Sequence, residues 1–185
     1  MSDAAGKRRI DRVLSVDFLE GIAELPLAEV RVLREEAEQE ETDLSYIRRL
    51  VQARLDIIGA ELTRRASGDA SSGSLLADLP RILADSPRGT PRGLGRHQGS
   101  EPSRADEHRR YVEALVADVD LSDVSARTDD ELRRVQQRLE EAEAELSAKR
   151  KQVQQVHDAC SAEVTRRYRD GEADVADLLA GPPAI

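Results

Sequence analysis

The chain has 185 residues, 35% of them charged and 2% aromatic, with one Phe, no Trp and a formal net charge of -9. So few aromatics exclude a large globular core, and a chain dominated by Lys, Arg, Glu, Ala and Leu has the composition of long helices and coiled coils. The acidic balance repels nucleic-acid phosphates and anionic membranes, so the expected partner is neither DNA nor a membrane but a basic protein.

Residues 1–25 are expected to hold a short amphipathic helix, because Ile10, Val13, Leu14, Phe18, Leu19 and Ile22 recur at helical spacing and the pattern ends near Gly21. That helix either adds a contact to a partner or packs against the rest of the fold. No apolar signal core follows the basic residues of the N-terminus, and no run approaches the roughly 20 apolar residues of a membrane span. A cytoplasmic location is therefore expected.

Pro26 suits a helix start, and the spacing predicts a first long helix over 26–66. Its seam is Val30, Leu33, Ala37, Glu40, Leu44, Ile47, Val51, Arg54 and Ile58, widened by Leu55 and Leu62. Steps of three and four residues make this a heptad pattern with polar breaks at Glu40 and Arg54. Some 40 helical residues would form a rod of roughly 60 Å, which needs a partner helix to cover its seam.

Residues 67–104 are rich in Gly, Ser and Pro and read as a flexible linker. Within it, "LLADLPRILAD" (Leu75 to Asp85) is either a docking element or solvated chain, and Pro80 argues against a stable helix there. A short helical connector over 105–127 follows. The second long helix, over 128–171, opens on Thr128 and Glu131 at capping-box spacing, and residues 172–185 form a tail. Its seam is Leu132, Val135, Leu139, Ala142, Leu146, Lys149, Val153, Val156 and Cys160. Cys160, the single cysteine, falls on that stripe and reads as a core residue, and His97, His108 and His157 show no metal-ligand spacing. The expected fold class is all-α: an antiparallel two-helix coiled coil with short flanking helices and a flexible linker.

The two long helices share more than a seam. Glu41 aligns with Glu143, an offset of 102 (143 minus 41), and the same offset places Ser45 on Ser147, Arg48 on Arg150, Gln52 on Gln154 and Asp56 on Asp158. Thr63, Arg64 and Arg65 likewise meet Thr165, Arg166 and Arg167. Solubility alone requires no particular identities on a coiled-coil surface. Neighbouring positions have drifted, with Tyr46 against Ala148 and Leu50 against Gln152, while the five-residue ladder has not. At about 100° per residue the ladder stays within a stripe roughly 80° wide, outside the seam. An antiparallel pair can bring two such stripes to one face with two-fold symmetry, which suggests a two-fold symmetric ligand. Arginines can grip phosphates or the O6/N7 edge of guanine, and carboxylates can accept from its N1–H and amine, so a symmetric guanine nucleotide suits the chemistry.

The ladder Glu-x3-Ser-x2-Arg-x3-Gln-x3-Asp, present once per helix, resembles the signature of the RsiG family, actinobacterial anti-sigma factors armed by the second messenger cyclic di-GMP. The resemblance implies that Glu41, Ser45, Arg48, Gln52, Asp56, Glu143, Ser147, Arg150, Gln154 and Asp158 bind cyclic di-GMP, as a dimer. It implies a sporulation sigma factor of the WhiG type as partner, sequestered from RNA polymerase when the nucleotide is bound. The competing expectation is an acidic structural coiled coil that binds a basic protein without nucleotide. No glycine-rich phosphate loop and no nucleophile with a paired base stand in the chain, so an enzyme is not expected.

Overall fold

The computed structural model of the chain describes residues 8–67, 101–117 and 121–171. In chain order these form α1 (Arg9–Val13), a 3-10 turn (Val16–Leu19), α2 (Leu27–Ala66), α3 (Ala105–Leu115), a second 3-10 turn (Leu121–Ala126) and α4 (Asp129–Arg169). No strand occurs among the described residues. The fold is all-α, with α2 and α4 as its long antiparallel pair. The expected linker lies mostly, and its Leu75 to Asp85 stretch entirely, outside the described residues, as does the whole of the expected tail.

Packing divides the chain into two compact units, Met1–Thr42 with Ala148–Ile185, and Asp43–Ser147. Each contains one stretch of α2 and one of α4. In the first unit, Arg31 meets Tyr168 and Arg150 meets Glu41, so α4 runs backwards as α2 runs forwards. In the second, Arg48 meets Glu143 and Arg65 meets Asp129, again in antiparallel order.

The heptad seams account for most of both cores. Val30, Ala37, Val153 and Cys160 are buried in the first unit, and Leu44, Ile47, Val51, Ile58, Leu132, Val135, Leu139, Ala142 and Leu146 in the second. Cys160 is a free, buried cysteine, and burial pushes its thiol above the ordinary value, which keeps it an inert core residue. The polar seam positions diverge in their fates. Glu40 is buried and accepts from Arg9 Nε at 3.0 Å, which ties α1 to α2. Arg54 is half-buried, whereas Lys149 is exposed although its counterpart Ile47 is core.

Both long helices begin with local chemistry. The carbonyl of Pro26 accepts from the N–H groups of Glu29 and Val30, at 2.9 and 3.2 Å. At α4, Thr128 N–H donates to Glu131 Oε2 at 2.8 Å and Glu131 N–H to Thr128 Oγ1 at 3.3 Å, a closed capping box. α4 ends at Gly171, whose φ of 74° sits in the left-handed region that glycine tolerates. The N-terminal segment is not one helix. Ser15 takes an extended ψ of 148° and donates its Oγ–H to Arg12 O at 2.7 Å, closing α1 before the 3-10 turn. Val13 and Phe18 are buried, so this segment contributes to the core of its unit and does not leave those side chains free for a partner.

One arginine clamp recurs in each unit, at the 102-residue offset. In the first, Glu163 is held by both Nε and Nη2 of Arg166 at 2.9 Å and by Arg167 Nε at 2.6 Å. Arg167 then donates to the carbonyls of Leu25, Ile22 and Ala23 at 2.6, 2.8 and 3.2 Å. In the second, Glu61 is held by Arg64 and by Arg65, which donates to the carbonyls of Arg127, Val124 and Ser125 and to Asp129. Each fork ties the end of one long helix to backbone carbonyls of the short turn before the other.

Truncating Arg167 would strand Glu163 beside one remaining arginine and free three carbonyls. Arg167→Ala is expected to lower unfolding free energy by roughly 3 kcal/mol, with Lys restoring less than half, read from urea denaturation. Hydrogen bonds from Arg166 and Arg167 hold Glu163 at about 2, below its ordinary 4.5. A depressed folded value means that its stabilisation is complete above 4.5 and is lost as pH falls toward 2. The melting temperature should therefore drop across that window, and Glu163→Gln should flatten the drop.

Candidate functional site

Each unit carries one rung of the ladder built from the same residue types. In the second unit, Glu143 Oε1 accepts from Arg48 Nε at 2.7 Å, from Ser147 Oγ at 2.9 Å and from Gln52 Nε2 at 3.4 Å. In the first, Glu41 Oε1 accepts from Arg150 Nε at 2.7 Å and from Gln154 Nε2 at 3.5 Å. Thus the glutamate of one helix meets the arginine and glutamine of the other. The heptad explains why: ladder positions flank the seam, where side chains from facing helices come within reach.

These groups are less outward-facing than their heptad positions suggest. The Arg48 and Glu143 side chains are 33% and 25% exposed, and those of Arg150 and Glu41 32% and 25%. Half-burial strengthens the pairs relative to fully solvated ones. Hydrogen bonding from Arg48 lowers the Glu143 carboxyl below its ordinary value against the opposing effect of burial, with Ser147 and Gln52 adding to it. Glu143 is thus ionised at neutral pH.

Ser45, Gln52 and Asp56 are half-buried on α2, while Asp158 is exposed on α4 and lies 3.4 Å from His157 Nδ1. The structure thus brings glutamate, arginine and glutamine together in each unit, places Ser147 on Glu143, and leaves Asp158 at the solvent. A guanidinium held through Nε keeps its outer edge, the pair of Nη groups, in the orientation that binds phosphate or guanine bidentately. Among the described residues no group of three or more His, Cys, Asp or Glu side chains is placed to hold a metal ion.

A family model described as RsiG-like matches residues 16–83 and 118–181. The chain belongs to the RsiG-like family. The two matched stretches begin 102 residues apart (118 minus 16), the offset of the ladder and of the arginine clamps. The RsiG-like family points to an anti-sigma factor role in transcription regulation, with a sigma factor as partner, and it is not a family of enzymes. No curated protein matches the chain. Among the described residues no helix is long and apolar enough to cross a membrane.

Residues that pattern alone did not single out also make contacts within each unit. In the second unit, Asp43 is 2% exposed and accepts from Ser103 N–H at 2.7 Å and Ser103 Oγ–H at 2.6 Å. Tyr46 stacks obliquely on His108 and accepts from Arg109 Nε at 3.1 Å. In the first unit, the Arg31 guanidinium donates to Tyr168 Oη and lies 5.9 Å from the ring centroid. Buried Asp43 in a heptad chain is the one visible signal among these, because an acidic residue nearly free of solvent must have partners.

Lowering of the Glu143 carboxyl makes the rung a source of stability above its ordinary pKa and a loss below it. Glu143→Gln is expected to leave the melting temperature at pH 7 within a few degrees, because the rung is partly exposed, and to shrink its fall on acidification below pH ~4.3. Circular dichroism melts across pH 3 to 7 measure both.

Proposed function

We propose that the protein is an anti-sigma factor that binds cyclic di-GMP through the doubled ladder and, once loaded, sequesters a sporulation sigma factor of the WhiG type. The observation that carries this reading is the repetition of one donor and acceptor set, Arg–Glu–Gln, in each unit. A ligand with two equivalent guanines presents each set with the same chemistry. Arg48 and Arg150 take the guanine O6/N7 edge or a phosphate, Asp56 and Asp158 accept from guanine N1–H and its amine, and Ser45, Ser147, Gln52 and Gln154 supply further hydrogen bonds.

Charge sets the order of events. The protein carries a net charge of -9, and a dimer of cyclic di-GMP adds several negative charges, so the ladder arginines must offset repulsion locally. A basic surface on the sigma factor then meets ligand and protein together, and nucleotide acts as an adhesive. By linkage, nucleotide must strengthen sigma binding by the factor by which sigma strengthens nucleotide binding.

The rungs also satisfy themselves, since each arginine has a carboxylate in reach, as in a purely structural coiled coil. Calorimetric titration with cyclic di-GMP and cyclic di-AMP, with and without the sigma factor, separates the two readings. The expected outcome is saturation by the guanine ligand alone and a loss of at least about 100-fold in affinity for Arg48→Ala combined with Arg150→Ala, about tenfold for each charge-assisted contact. Absence of binding under both conditions would return the protein to the acidic structural coiled coils.

A further inference from the structure

All ten ladder residues invite the same assignment, as ligand contacts, yet the glutamates stand apart in their surroundings. Glu143 Oε1 alone collects the Nε–H of Arg48, the hydroxyl of Ser147 and the amide of Gln52. Three donors converge on this one oxygen, so the carboxylate is engaged with Arg48 and Gln52 of the facing helix through Oε1. Arg48 shows the complementary state. Its Nε is engaged, and among the described residues its two Nη groups make no hydrogen bond.

We propose that Glu143 is a positioning residue, which serves the ligand by holding Arg48 of the facing helix through Nε and so leaving the Nη edge of that arginine for the ligand. This role rests on the nucleotide reading of the ladder and deepens it. A free arginine side chain samples many rotamers and loses that freedom on binding, at a cost in affinity. Fixing the guanidinium through Nε removes part of that cost beforehand and leaves the two-pronged edge that matches guanine O6/N7 or a phosphate. Nε is also the position whose use does not compete with the ligand. A carboxylate paired to the Nη edge would have to be displaced first.

Such a device has a consequence for direction and register. The glutamate and its arginine sit on different helices, so the arginine is oriented only where α2 and α4 are zipped in antiparallel order. Ligand competence is thereby coupled to helix pairing within that unit, in contrast to an i,i+4 pair on one helix, which would orient its arginine whether or not the helices met.

The test is a double-mutant cycle on cyclic di-GMP affinity in the full chain, with the sigma factor present if wild type needs it. Glu143→Ala is expected to weaken binding about tenfold, and Glu143→Gln, whose amide oxygen still accepts from Nε–H, to stay within about threefold of wild type. Within an Arg48→Ala background, where Arg150 keeps binding measurable, Glu143→Ala should add less than about twofold. Helicity by circular dichroism reports folding for each variant. A full tenfold further loss in the Arg48→Ala background would mean that Glu143 meets ligand directly and would overturn the positioning role while leaving the nucleotide site intact. Failure of wild type to bind, alone and with the sigma factor, would remove the nucleotide reading and this inference with it.

Discussion

The structure turns on a guanidinium of one helix bound through its Nε to a carboxylate of the other. Coiled-coil seams made of Val, Ala, Leu and Ile bury apolar area well, at about 1.5–3 kcal/mol per large side chain, but they choose register poorly because a slip of one heptad buries similar groups. The half-exposed rung contributes far less, about 1 kcal/mol or below. Its effect lies in selection. A one-heptad slip would displace the facing helix by about 10 Å and separate Arg48 from Glu143 and Arg150 from Glu41. Stability and specificity are thus carried by different residues, the seam and its flanks.

The arginine clamps complete that division. Arg65 and Arg167 each bring a planar fork to three backbone carbonyls in the turn that precedes the facing helix. A lysine offers three donors on a point charge and cannot span such a set in one plane. Glu61 and Glu163 engage these forks through Nε, as Glu143 engages Arg48. One geometric motif, carboxylate on Nε and Nη edge outward, therefore recurs in the chain with different objects on the outer edge. At the clamps the object is backbone carbonyl; at the ladder the Nη edge of Arg48 makes no hydrogen bond among the described residues.

Much of this was legible from sequence because helices advertise themselves through periodicity. The two seams, the Thr128 capping box, the repeat and the family resemblance all follow from spacings within single helices. The clamps were visible only as matching letters, Arg64 with Arg166 and Arg65 with Arg167. Their acceptors are backbone atoms, which any residue supplies, so Ile22, Ala23 and Leu25 in one turn and Val124, Ser125 and Arg127 in the other share no pattern. The docking of Ser103 on Asp43 was hidden for a related reason, since it joins single residues 60 positions apart. Lys149 shows the opposite limit: heptad counting assigns it to the seam, yet the residue is exposed, as a long charged side chain can be at a seam edge.

Symmetry in this chain is confined to what the repeated groups must do. The rungs, the clamps and the residues matched at an offset of 102 are copies, whereas the flanks differ. The first unit adds Arg9 on Glu40 and Arg31 on Tyr168; the second adds Ser103 on Asp43 and His108 beside Tyr46. Two separate homologous chains of one sequence could not differ in this way, because a homodimer repeats every side chain on both of its halves. Joining both helices in one chain removes that constraint. A small ligand with two-fold symmetry needs only the rungs to match, and a protein partner has no such symmetry. Under the proposed reading a sigma factor can therefore tell one unit from the other by its flank, even though the ladder chemistry is doubled.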